Sequence, residues 1–178
     1  PAPTPKSVAV ASGAPREVPF RLDAPGSYYY WGTTTGRVFR FRTGKDAQLS
    51  GAIVVDEPGE PRRRDRILVI GMWSDTTPSE TTRDVDQARL LLVVNGRSWP
   101  HTSRLAYTVG DSVRWRVINA SAEVHPMHLH GFYYHVDSRG DGMVDSTYAA
   151  ARRDMVVTER LGLGRTMTMS WVPERPGN

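Results

Sequence analysis

Hydrophobic and polar positions in this chain alternate with a period of two rather than 3.6, so the elements they predict are strands. The alternation is cleanest from Val113 to Val117, with Val113, Trp115 and Val117 on one face and Arg114 and Arg116 on the other. Thr166 to Trp171 repeats it, setting Met167, Met169 and Trp171 against Thr166, Thr168 and Ser170. Apolar or aromatic runs of strand length lie at Ser27–Trp31, Gly51–Val55, Ile67–Met72 and Leu90–Val94, where such side chains suit a pleated surface. The aromatics of Ser27–Trp31 fall on both faces, which predicts a strand covered on both sides. Val18–Leu22, Leu105–Val109, Phe132–Val136 and Met155–Thr158 are predicted as further short strands.

Turn chemistry separates these runs at Ala24-Pro25-Gly26, Asn95-Gly96 and Gly110-Asp111. Gly32–Asp46, Ser74–Asp86 and Asp137–Asp145 read as loops, and the first 16 residues, rich in Pro, Ala and Ser, as irregular. The aspartates of 137–145 lack the spacing of an EF-hand, so that loop is expected to be solvated. No amphipathic helix of convincing length is present. About ten short strands with turns between them predict an all-β sandwich or barrel.

Composition narrows the function classes. At 178 residues, 39% hydrophobic and 24% charged, the chain can bury a core as one domain or two small ones. Two prolines and a glycine between Asp56 and Pro61 mark a domain boundary. No apolar run approaches the ~18 residues that span a bilayer, and no signal-peptide pattern opens the chain. Cysteine is absent, so neither disulfides nor a thiolate ligand come from these residues. The net charge of +4 is scattered. Its one dense run, Arg62-Arg63-Arg64-Asp65-Arg66, sits between apolar segments and reads as a solvated linker, so no nucleic-acid partner is expected. An opening of Pro1-Ala2-Pro3-Thr4-Pro5 without Met, and an end just after a strong strand, lead us to expect a fragment or a processed piece.

The chemistry concentrates in His125-Pro126-Met127-His128-Leu129-His130-Gly131, which holds three of the five histidines. Imidazole ligates zinc, copper, iron and nickel. On a strand, His128 and His130 share a face, whereas His125 lies beyond Pro126, which forces an extended entrance. Two ligands on one face, with a third displaced toward another metal, is the reading favoured over three uncommitted polar side chains. Met167 and Met169 could also meet copper, but alternating Met and Thr on a strand is far more often core packing. His101 and His135 read as a loop and a strand histidine.

The heptad resembles the H-P-x-H-L-H-G motif of multicopper oxidases, the laccase-like enzymes built of cupredoxin domains. Asn95-Gly96, Val109-Gly110-Asp111 and Val117-Ile118-Asn119-Ala120-Ser121 resemble the landmarks that precede the motif. Pro25-Gly26-Ser27-Tyr28-Tyr29-Tyr30 and Gln48–Val55 resemble the end of a first cupredoxin domain. The resemblance runs from about Val18 onward. It implies a cupredoxin-like Greek-key β-sandwich with residues 1–60 as the C-terminal part of a first domain and 61–178 as a second, nearly complete one. It also implies copper: type 1 copper at His125, and type 2 and type 3 coppers at His128 and His130. The implied partners are a phenol, small aromatic or metal-ion electron donor and dioxygen. The implied setting is periplasmic or secreted, and a homo-oligomer is compatible with it.

Three departures matter. The family's His-Cys-His stretch, which follows a strand like Thr166–Trp171, is not in the chain, nor is the H-x-H-G motif of the first domain. A second first-domain pair, in a pattern like Y-H-x-H, falls here on Trp31 and Thr33, neither of which replaces an imidazole. A non-catalytic, electron-transfer cupredoxin module is therefore the alternative. A three-histidine zinc enzyme is a third reading; a cupin is disfavoured because Tyr134 and His135 stand where its Glu would be. The isolated chain is expected to bind metal weakly and to lack oxidase activity.

Overall fold

The computed structural model describes residues 7–42, 44–59, 64–74 and 90–177. Among them eleven strands follow in order: β1 (Gly26–Trp31), β2 (Ser50–Val55), β3 (Arg66–Ser74), β4 (Leu90–Val94), β5 (Val113–Asn119), β6 (His125–His128), β7 (Tyr134–Gly140), β8 (Asp145–Thr147), β9 (Asp154–Val156), β10 (Thr158–Leu161) and β11 (Thr166–Trp171). The only helical pieces among the described residues are short 3-10 turns, such as Phe39–Phe41 and Gly44–Gln48. The large sheet has the order β4-β3-β5-β11-β7-β8, with β9 also pairing β7. β1 pairs with β2, and β6 with β10, as separate two-stranded sheets.

Period-two alternation places the core. Val117 pairs with Met167, Trp115 with Met169 and Val113 with Trp171 across β5 and β11. All of these but Trp115 join Tyr134, Val136, Ile70 and Leu161 in one buried cluster, against which Trp115, Met127, Leu129 and Phe132 pack. The β6–β10 pair thus closes the apolar face of the large sheet, a two-layer β-sandwich. Met167 and Met169 are 1% and 2% exposed within it, as core packing requires.

The opposite face of the sheet is also covered, but by polar groups. Arg114 and Arg116 of β5 both bind Asp65, at 2.9 and 2.6 Å. Arg114 also reaches Asp137 at 3.1 Å, and Arg116 donates to Ser27 Oγ on β1 at 3.0 Å. Asp137 is the residue skipped where the β7–β11 register shifts between Val136 and Ser138, so a β-bulge aims its carboxylate at the arginines. Ser27 and Thr168 are fully buried. β1 and β2 therefore dock on the large sheet through ions and hydroxyls rather than oil.

Several expectations change. Val18–Leu22 is exposed and makes no strand; it has the composition but no neighbouring ladder. Leu105–Val109 makes no strand either, and is held by side chains instead: Trp115 Nε1 donates to Tyr107 Oη at 2.8 Å. The stretch 137–145 is not a solvated loop, because β7 runs to Gly140 and β8 starts at Asp145. Met155–Thr158 splits into β9 and β10 at Val157. Strand β1 is buried only in its first half, with Tyr30 and Trp31 at 59% and 40% exposure. Asn95-Gly96 turns as expected, with φ of 52° and 75°. Residues 1–6, Arg62 and Arg63 of the basic run and most of Ser74–Asp86 lie outside the described residues.

Candidate metal centre

Strand β6 owes its placement to its apolar positions. Met127 and Leu129 turn inward to the core while Pro126, His128 and His130 turn outward. The Tyr134 hydroxyl, whose pKa burial pushes up to about 12, stays protonated and donates to the Met127 carbonyl at 2.7 Å. On the other side β6 pairs with β10 in the register His128↔Thr158 and His125↔Leu161.

His128 and His130 are brought together. Their rings lie 4.9 Å apart, edge to face. The strand ends at His128 and His130 sits in the following turn, made possible by Gly131 at φ 81°, so the pair is adjacent although strand alternation stops between them. His128 Nδ1 lies 2.7 Å from Thr158 Oγ1, which orients the ring and leaves Nε2 toward solvent chemistry. His125 stands apart on the inward parity of the strand, half-buried, with Nε2 2.6 Å from Ser121 Oγ. Burial lowers its pKa, opposed by the Glu123 carboxylate. Among the described residues no three His, Asp or Glu side chains converge into a complete metal site. The donor chemistry nonetheless fits copper in two places. At His125 and at His128, one ring nitrogen is fixed by a hydroxyl and the other remains for a metal, the usual pattern of ligating histidines. A cleft of about 430 Å³ opens beside Glu159 and Arg160 on β10 but includes none of these histidines.

A match to the family described as multicopper oxidase covers residues 68–178, most of the chain. The chain belongs to the multicopper oxidase family. Among solved structures it is similar to the blue copper oxidase from Nitrosomonas europaea, with a TM-score of 0.66 and 19% identity over 89% of this chain and 49% of that one. The multicopper oxidase mgLAC gives 0.64 and 21% over 87% and 48%. The copper nitrite reductase from Nitrosomonas europaea gives 0.54 and 18% over 87% and 55%. At such identities the likeness shows the fold, a cupredoxin-like β-sandwich. The chain spans about half the length of the two oxidases. No curated protein sequence matches it. Family membership implies copper; no helix among the described residues is long and apolar enough to cross a membrane.

The positions of the second first-domain pair do other work here. Thr33 Oγ1 donates to Asp46 at 2.6 Å, and Thr34 and Thr35 add hydroxyl and amide donors to the same carboxylate. Trp31 meets Phe39 edge-on and lies 5.1 Å from the Arg42 guanidinium. Arg42 is buried and spends its donors on the carbonyls of Gly32, Asp46, Leu49 and Ala120. These partners, like Thr158 and Ser121, were missed by sequence reasoning. Only Asn119-Ala120-Ser121, noted as a landmark, carried a signal.

The Thr33 hydroxyl first, then those of its neighbours, hold the Asp46 carboxyl well below its ordinary value of 3.8. A depressed folded pKa gives stability that is complete above the unfolded value and drains away as pH falls toward the folded one. Asp46→Asn is therefore expected to flatten the loss of thermal stability between about pH 4 and about pH 2. Melting curves at those pH values check this; an unchanged acid slope would rule the linkage out.

Proposed function

We propose that this chain is part of a copper-dependent oxidoreductase in which His125 ligates a type 1 copper, and His128 and His130 ligate the type 2 and type 3 coppers of a cluster. The observation that carries the reading is the division of the heptad: one half-buried histidine fixed by Ser121, and two adjacent outward ones, the first fixed by Thr158. Copper bound there would supply one-electron chemistry, from a phenol, small aromatic or metal-ion donor to dioxygen. The chain's own residues supply orientation. Thr158 holds the His128 ring, Tyr134 holds the strand between the two sites, and the core under Met127 and Leu129 keeps both positions rigid. Residues 1–60 would be the C-terminal part of a first cupredoxin-like domain and 61–178 a second. The polar docking face of β1 and β2 supports that division, since interfaces between domains are more polar than cores. A periplasmic or secreted setting follows from the family.

In the full-length protein, His125→Ala is expected to remove the blue absorption while leaving the remaining copper in place, read by absorption and metal analysis. Unchanged blue absorption would sink the assignment. A second reading, an electron-transfer cupredoxin without an oxygen-reducing cluster, is favoured by Trp31 and Thr33, whose side chains are built into the Asp46 and Arg42 networks. Blue absorption with no oxygen uptake in the unmodified protein would decide for it.

A further inference from the structure

We propose that Asn119 and Ser121 are positioning residues that lock His125 in the tautomer carrying its proton on Nε2, so that Nδ1 keeps the lone pair a metal needs. The direction of every bond in the network follows from donor and acceptor inventories. Asn119 is fully buried, and its Nδ2 lies within reach of three carbonyls: Glu123 at 2.7 Å, Gly162 at 2.9 Å and Leu161 at 3.1 Å. Carbonyl oxygens only accept, so the amide nitrogen faces them and Oδ1 faces Ser121. That Oδ1 accepts from the Ser121 backbone N–H at 3.0 Å and lies 2.7 Å from Ser121 Oγ. Two oxygens at that separation need a hydrogen between them, and only the hydroxyl has one. The other oxygen near the hydroxyl, the Glu123 carbonyl at 3.3 Å, is also an acceptor. The single Ser121 proton is thus spent on oxygen, and the 2.6 Å contact to His125 closes only if Nε2–H donates to Oγ. Ser121 Oγ also accepts from the Glu123 amide at 3.2 Å.

The lock is anchored beyond its own loop. The Leu161 and Gly162 carbonyls belong to the end of β10 and the turn after it, and Arg42 donates to the Ala120 carbonyl at 3.3 Å. Nothing in this network requires a bound metal, so the tautomer is set in advance. Its purpose for copper rests on the reading of His125 as a ligand.

Long-range proton–nitrogen NMR of the metal-free full-length protein at about pH 8, where an ordinary histidine is neutral, reads the tautomer directly. The expected signal for His125 is Nε2–H. Ser121→Ala should relax His125 to the mixture of an ordinary neutral histidine, in which Nε2–H only predominates, and Ser121→Thr, which keeps the hydroxyl, should retain the nearly pure Nε2–H form. An appreciable Nδ1–H fraction in the unmodified protein overturns the lock, as does a Ser121→Ala variant as purely Nε2–H as the unmodified protein. The unmodified chain decides even if Ser121→Ala does not fold. Titration of the full-length protein with Cu(I) alone then tests the underlying reading separately. Weakening by about 10–100-fold in Ser121→Ala is the size expected for a group that orients a ligand. An Nε2–H tautomer whose Nδ1 signal ignores Cu(I) would leave the lock standing and remove the copper role.

Discussion

Replacing His128 and His130 together by alanine in the full-length protein is expected to lower oxygen uptake by more than about 100-fold while leaving blue absorption and thermal stability nearly unchanged. Losing a hydrogen-bond partner of a ligand typically costs about 10–100-fold, and losing the ligands themselves should exceed that. Stability should hold because both side chains are exposed and point away from the core that Met127 and Leu129 enter. Exposed substitutions of this kind usually stay within about 0.5 kcal/mol. The pairing of results is what discriminates: an uptake loss accompanied by a large fall in melting temperature would indicate misfolding rather than a missing ligand. His101→Ala, an exposed loop histidine, is the control and should change neither. Oxygen uptake that survives the double substitution would remove His128 and His130 from the reaction.

The second large effect concerns the polar face of the sheet. Asp65→Ala is expected to destabilise the fold by roughly 3–5 kcal/mol, because it strips the shared carboxylate from one buried and one half-buried guanidinium. Arg116 and Asp65 are each only 8% exposed in their side chains, and Arg114 18%. Arg116 would retain Ser27 at 3.0 Å and Asp56 at 3.7 Å, and Arg114 would retain Asp137, which places the value near the lower end. Replacing Asp65 and Arg116 together by Leu and Met should cost less than Asp65→Ala alone, since no uncompensated charge remains. Denaturant titration of both variants measures this. A single substitution within about 0.5 kcal/mol of the unmodified protein would show that the cluster behaves like a surface pair.

Much of the architecture was legible because apolar alternation reports directly on a buried face. Val113, Trp115 and Val117 announce β5, and Met167, Met169 and Trp171 announce β11. The same rule missed β7 beyond Val136. There Asp137 and Ser138 are polar yet buried, satisfied by Arg114, Ser170 and Thr168 from other strands. Val18–Leu22 and Leu105–Val109 have strand composition, but a strand exists only where a neighbour offers a ladder, and composition does not say where neighbours are. The candidate site divides in the same way. His125, His128 and His130 were visible as a cluster with one member apart. Thr158 was not, because the β6–β10 pairing joins residues 30 apart. Neither were Asp46 and Arg42, whose roles depend on three-dimensional neighbours.

The sheet order also dictates when this fold can form. Strands β5 and β7 are not neighbours; each pairs with β11, which lies between them and follows both in sequence. During synthesis, then, the centre of the large sheet stays open until Thr166–Trp171 has left the ribosome. Closing it means joining contacts separated by about fifty residues on the β5 side, the kind of non-local pairing that slows folding of all-β chains to milliseconds or seconds. Until then β5 has only β3 beside it and β7 only β8 and β9, and the nascent chain depends on staying unaggregated long enough for β11 to join them.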